Sequence, residues 1–283
     1  MTWRSSLAVA RTDDGPDGLH LVPGGATAAS LAPGVLTAAR YSRFKHGDGS
    51  AAHDFGVALA DLYVAEQGPS LHEDEVVVTG SGFDVAPPAA HALVTPFLGR
   101  LAAHGVRARS VVVLRTRPSD GDYASMGLRE RRAALDPSAL HVAPGDVVGG
   151  ARVVALDDVR VTGVHERAIE AALHRAGARR VDHLFVVDAA GCAPQAEAAL
   201  NAVAVGTLAD LLALAGAPGH VPNARVARWV LGLPDADLDR FIMLAPSPLV
   251  RWIAEVACRD RFADLDRYRA GTSRLRELVD LLA

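Results

Sequence analysis

Cysteine is all but missing from this chain: Cys192 and Cys258 are its only two. That is too few for a disulfide framework, and their separation is not a metal-ligand spacing. Lysine is scarcer still, because Lys45 is the one lysine among 29 basic residues. In an Ala- and Arg-rich composition arginine is the default cation, so a lone lysine draws attention to its position. A positive excess is also lacking: 29 Lys and Arg face 33 Asp and Glu, for a formal net charge of -4. Nucleic-acid-binding surfaces usually carry a basic excess, so the balance argues against that activity. No apolar run is long enough to span a bilayer, and Met1–Gly25 carries no signal-peptide pattern. The expectation is a cytoplasmic protein with neither membrane nor nucleic-acid partners. Internal repeats and low-complexity linkers are absent too.

What is present is an alternation. The 283 residues are half hydrophobic and 22% charged, enough to bury a full core. "EVVVTG" (Glu75–Gly80), "RSVVVLRT" (Arg109–Thr116), "ARVVALDD" (Ala151–Asp158) and "VDHLFVVDA" (Val181–Ala189) read as strands. "PPAAHALVTPFLGRLAAHG" (Pro87–Gly105) reads as one helix with Pro at its start and Gly at its stop. "ERAIEAALHRAGA" (Glu166–Ala178) reads as another, ending at Gly177. Upstream, Ala51, Phe55, Leu59, Leu62 and Tyr63 recur at helical spacing behind Ser50 as N-cap. Near-continuous Val/Leu strands alternating with helices predict a parallel sheet covered on both faces. Residues 1–39 read as an irregular or hairpin segment, 40–190 as the α/β core, and 191–283 as a helical extension packed on it. Trp229 and Trp252 fall on apolar helical faces there and read as core.

"VVALDDVRVTGVHE" (Val153–Glu166) carries the chemistry. Ligands of open parallel sheets sit at the carboxyl ends of strands, where Asp157 and Asp158 fall. A Thr-Gly turn entering a helix offers free N–H groups and the positive end of a dipole, which suits a phosphate. Two carboxylates just before it suit hydroxyl donors or a metal-bound sugar. A sugar phosphate fits both. The competing structural account is a plain helix start, capped by Asp158 or Thr162.

The same stretch resembles the signature of type I phosphoribosyltransferases: an apolar strand, two acids, a few mixed residues, then Thr-Gly. "RYSRFKHGD", "VVVTGSGFDVAPPAAHAL", "DYASMGLRERRAAL" and the helical tail resemble, within that family, a branch associated with tellurium-resistance-type stress-response operons. The loop departs from the commonest family pattern, which is richer in Thr at the positions of Arg160 and His165. The resemblance implies a parallel-sheet α/β type I phosphoribosyltransferase fold with an irregular N-terminal segment and a helical C-terminal extension.

It also implies roles. Asp157 and Asp158 hold the ribose hydroxyls of phosphoribosyl pyrophosphate. Val161, Thr162, Gly163, Val164 and His165 wrap the 5-phosphate. Thr79, Gly80, Ser81 and Gly82 form the pyrophosphate loop, small enough for backbone N–H groups to approach the leaving group. Tyr123 to Arg132 form a closing loop, with Arg129 and Arg131 neutralising pyrophosphate. Lys45 is a substrate-binding candidate, although an exposed loop is the competing account for it, and His165 could simply point to solvent. The cofactor implied is Mg2+, bridging substrate oxygens rather than held in a protein cage. The implied reaction is transfer of ribose 5-phosphate to a small acceptor in specialised, nucleoside-like metabolite biosynthesis, by a possible homodimer. The alternative is a non-catalytic sensor of phosphoribosyl pyrophosphate or a nucleotide on the same fold.

Overall fold

The computed structural model describes residues 2–12, 19–31, 35–72, 75–116 and 139–282. A six-stranded sheet organises them, in the order β2 (Leu19–Pro23), β1 (Trp3–Thr12), β8 (Arg180–Asp188), β7 (Arg152–Arg160), β3 (Val76–Thr79), β4 (Ala108–Ser110). All neighbours are parallel except the β1–β2 hairpin. The N-terminal segment therefore contributes strands to the central sheet, with Ser6 beside Phe185 of β8.

Alternation along the strands divides the core. Val76, Val78, Val154, Leu156, Leu184 and Val186 pack toward α3 (Gly49–Gln67) and α4 (Val94–Ala103). Val77, Val153, Ala155 and Val181 pack on the other face, toward α5 (Val164–Arg175). Burial of each such Val or Leu is worth about 1.5–3 kcal/mol, which fixes the register of every strand. From β3 the chain steps outward to β4 and later returns to place β7 on the other side of β3. The β3–β7 boundary is thus the point where strand order reverses, where open sheets form a ligand crevice.

After β8 come α6 (Ala196–Ala202), α7 (Leu208–Ala215), α8 (Ala224–Leu231), α9 (Asp235–Leu244), α10 (Ser247–Arg259) and α11 (Asp266–Leu282). α7 to α11 enclose their own core, with Leu211, Val226, Val230, Leu238, Phe241 and Ile253 all fully buried, whereas Ala196 and Leu200 of α6 pack into the sheet-domain core. This extension is tied to the sheet domain by hydrogen bonds. Val85 and Ala86 N–H donate to Asp260 at 3.1 and 2.7 Å. Ala224 N–H donates to Pro87 O at 2.8 Å and Val221 N–H to Gly47 O at 2.8 Å.

Local departures from the sequence expectation have physical causes. Asp48, not Ser50, caps α3, accepting from Ala51 N–H at 3.0 Å and gripped by Arg43. Pro87–Gly105 is not one helix but a 3-10 turn, Ala89–Leu93, followed by α4. The expected strand Arg109–Thr116 is divided. Its second half, β5 (Val113–Arg115), leaves the sheet to pair with β6 (Leu140–Val142) as a separate antiparallel ribbon.

Candidate active site

The acid pair does not end its strand. β7 continues through Asp157 and Asp158 to Arg160, so strand alternation sends the two carboxylates to different neighbours. Thr79 of β3 stands beside Ala155 of β7. Two residues further along, Ser81 stands beside Asp157, and its hydroxyl donates to Asp157 Oδ1 at 2.7 Å. Asp158 turns toward α2 (Ala38–Lys45) and accepts from Lys45 Nζ at 2.5 Å, with Glu197 of α6 at 3.6 Å from the same ammonium.

Lys45 is therefore no exposed-loop residue: it sits at the C-terminus of α2 and is 6% exposed. The expectation missed this because "FKHGDG" reads as a polar turn, whereas α2 continues to its lysine. Burial works against the Lys45 ammonium, but Asp158 and then Glu197 outweigh it and hold its pKa above the ordinary value. Among the described residues no ion pair holds Asp157, and the Lys45 charge only partly offsets what raises its pKa. Burial first, and the charge of Asp158 second, push its pKa up to about 8.

The Thr-Gly turn follows. Gly163 has φ +65°, a left-handed conformation that side chains resist, and it starts α5 with no side-chain cap. Capping by Asp158 or Thr162 is thereby contradicted. A Cβ at Gly163 would lie 3.1 Å from an Arg167 nitrogen and 3.4 Å from Glu166 Oε2. Glu166, in the first turn of α5, is buried and paired with Arg160 at 2.7 Å and Arg4 at 2.7 Å. Arg160 also reaches Asp188 at 3.3 Å. His165 does not point to solvent, since its Nε2 is buried without a hydrogen-bond partner. Burial, then the Arg115 charge, lowers its pKa to about 4, so the ring is neutral.

These groups surround one cavity of about 700 Å³. Lys45, Ser81, Gly82, Asp157 and Asp158 line it, as do Val161, Thr162, Gly163 and His165. Thr79, Gly80 and Val164 are buried behind that lining. Gly82 is small for a reason the sequence did not disclose: a Cβ there would lie 2.8 Å from Leu140 Cδ2 of β6. Tyr123, Arg129, Arg131 and Arg132 lie outside the described residues. Spacing alone did not indicate further lining: Glu197 from α6, beside Lys45, and Arg225, Arg228 and Trp229 from α8. Trp229 is half-buried, not enclosed core, because α8 is held between the helical core and the cavity.

Among the described residues, no group of three or more His, Cys, Asp or Glu could cage a metal ion. Asp157 and Asp158 nonetheless form an oxygen-only donor set, with Lys45 on one of the two carboxylates. That suits a hard divalent ion bound by one or two carboxylates and, for the rest, by substrate oxygens.

A protein-family model described as PRTase ComF-like matches residues 34–274. The chain belongs to the ComF-like phosphoribosyltransferase family. Solved structures similar to this family member include an alanine mutant from an analysis of an invariant aspartic acid in HPRTs. It is 11% identical, covers 50% of this chain and 68% of its own, and gives a TM-score of 0.35. A hypoxanthine phosphoribosyltransferase from Staphylococcus aureus is 10% identical over 47% of this chain and 62% of its own, with a TM-score of 0.31. A hypoxanthine-guanine phosphoribosyltransferase from Bacillus anthracis is 9% identical over 50% and 69%, with a TM-score of 0.32. The ComF-like chain thus spans between 62% and 69% of those proteins' lengths. No curated protein sequence matches it.

Proposed function

We propose that this ComF-like protein is a Mg2+-dependent phosphoribosyltransferase that moves ribose 5-phosphate from phosphoribosyl pyrophosphate to a small acceptor. One observation carries the reading: Asp157, Asp158, the uncapped Thr162–Gly163 turn and Ser81 line one cavity at the strand-order reversal. Asp157 and Asp158 accept hydrogen bonds from the ribose hydroxyls, and their field favours the positive charge that develops on the sugar. The amides at the start of α5, with the Thr162 hydroxyl, hold the 5-phosphate. Ser81 and Gly82 hold the pyrophosphate end. Asp157 and Asp158 would hold magnesium together with the substrate, and the ion would supply neutralisation of charge at the leaving group.

The acceptor's nucleophilic atom supplies the electron pair for its new bond to the anomeric carbon. The bond from that carbon to the pyrophosphate oxygen breaks with its pair on the leaving group, and the acceptor's proton passes to solvent or pyrophosphate. The protein orients the partners, screens charge and excludes water. The branch resemblance supports specialised, nucleoside-like metabolite synthesis in the cytoplasm over routine salvage. No helix among the described residues is long and apolar enough to cross a membrane.

A second reading is a sensor that binds phosphoribosyl pyrophosphate without turnover. The pairing of Lys45 with Asp158 and of Arg160 with Glu166 favours it, because the site's charges are compensated without substrate. Calorimetry with phosphoribosyl pyrophosphate and magnesium, followed by a pyrophosphate-release assay against metabolite pools, separates the two. Binding with release supports the enzyme and binding without release the sensor; no binding removes both.

A further inference from the structure

Lys45 is the chain's one lysine, and the fold fixes its backbone from two sides. On one side α6 is fastened to α2: Ser42 Oγ donates to Asn201 O at 2.5 Å, and Ala204 N–H donates to Ser42 Oγ at 3.1 Å. On the other, Asn223 Nδ2 donates to Lys45 O at 3.3 Å and Val221 N–H to Gly47 O at 2.8 Å. The approach there is so close that a Cβ at Gly47 would lie 2.6 Å from Val221 O. Only the flexible four-carbon stem of Lys45 is left to move its ammonium.

Two carboxylates face that ammonium at unequal distances. Asp158, at 2.5 Å, is the one on which the phosphoribosyl reading places a ribose hydroxyl and magnesium. Glu197, at 3.6 Å, has no part in that reading. An ammonium and a divalent cation compete for the oxygens of one carboxylate, and their charges repel. The polar groups nearby are incompletely satisfied. Tyr41 stands one turn before Lys45 on α2, and Asn201 one turn after Glu197 on α6, so helical spacing sets each on its neighbour's face. Among the described residues, the Tyr41 hydroxyl and both amide atoms of Asn201 are buried without a hydrogen-bond partner, and Asn201 lines the cavity. Burial, then the charges of Asp158 and Glu197, hold the Tyr41 pKa well above its ordinary value, so the hydroxyl keeps its proton. Unpaired buried polar atoms are costly, and three of them beside one ion pair mark an arrangement that has an alternative.

We propose that Lys45 is a two-position counter-ion: its ammonium holds Asp158 while the site is empty and passes to Glu197 when a ribose hydroxyl and a divalent cation take Asp158. Asn201 Oδ1 is the further acceptor on the Glu197 side, and the Tyr41 hydroxyl the donor for the acid that the ammonium leaves. This inference rests on the phosphoribosyltransferase reading of the same cavity.

Because the chain has a single lysine, isotopic labelling of lysine nitrogen gives one side-chain ammonium signal in an NMR spectrum of the full, unaltered chain. Its coupling through the hydrogen bond identifies the accepting carboxyl carbon. That carbon is an aspartate's in the free protein and a glutamate's once ribose 5-phosphate and magnesium chloride saturate the site, with saturation established by calorimetry. Glu197→Gln removes the charge of the second position and weakens binding of ribose 5-phosphate with magnesium about tenfold, the size of one charge-assisted hydrogen bond. The spectrum needs no variant, so misfolding of Glu197→Gln does not mask the result. A coupling that stays with the aspartate at saturation, or unchanged affinity in Glu197→Gln, would overturn the exchange and leave the phosphoribosyl reading standing. No binding of ribose 5-phosphate at all would sink that reading and the exchange with it.

Discussion

The sheet domain and the helical extension meet around one cavity but treat charge in different ways. On the sheet side, two carboxylates share a single ammonium, Asp158 at 2.5 Å and Glu197 of α6 at 3.6 Å from Lys45 Nζ, while Asp157 accepts from a serine hydroxyl. On the extension side, Arg225 donates to the His46 ring and Arg228 lies over the Phe262 ring, near Asp260. The first wall gathers carboxylates around one ammonium; the second sets guanidinium groups beside aromatic rings. The two walls of one cavity thus differ in chemistry. Each variant below is a way to break that division.

The largest effect is expected from Asp157→Asn combined with Asp158→Asn. Pyrophosphate release should fall about a thousandfold or more, because the interactions lost are with the sugar as it becomes cationic. Circular dichroism should show the sheet intact. Residual turnover within about tenfold of the unaltered protein would remove the acid pair from the chemistry.

Next is Lys45→Met, which strands Asp158 and Glu197 in a buried site. Breaking one side of such a pair costs about 3–5 kcal/mol, readable by urea unfolding. A change below about 1 kcal/mol would mean that the pair behaves as a solvated one. Gly163→Ala is smaller: a side chain in the left-handed region costs about 1–2 kcal/mol, and crowding by Arg167 and Glu166 should also weaken binding of ribose 5-phosphate. Unchanged affinity in that variant would move the phosphate elsewhere.

The pH dependence of stability tests the sheet-side wall by a separate readout. The Asp157 pKa is raised in the folded state from 3.8 to about 8. Between those values the folded protein retains a proton that the unfolded chain has released, so this group's contribution declines as pH rises from about 4 to 8 and is then constant. Asp157→Asn should flatten the stability curve across that window. An identical slope in both proteins would show that Asp157 is already ionised when folded.

Much of the sheet side was legible in the sequence because its residues are contiguous or close to strand ends. The run from Val153 to Asp158 specified a buried strand by composition, and the Thr-Gly turn marked the start of α5. Contacts decided by folding at a distance were not legible. Nothing in "FKHGDG" says that α2 carries Lys45 113 residues along the chain to Asp158. The division of Arg109–Thr116 depended on β6, a partner some 25 residues away that offers only three paired positions. Arg225, Arg228 and Trp229 looked like an ordinary amphipathic helix face, since periodicity shows that a helix has two faces without showing what each one meets. The Asp48 cap was missed because Gly-Asp-Gly-Ser offers two candidate caps, and a tertiary contact from Arg43 decides between them.

The most direct measurement is a crystal structure of the protein with ribose 5-phosphate and magnesium. The expected density has the two ring hydroxyls on Asp157 and Asp158, the phosphate on the amides that begin α5, and the α8 wall free of sugar. Sugar bound against Arg225 and Arg228, with the acid pair still closed on Lys45 and Ser81, would contradict it.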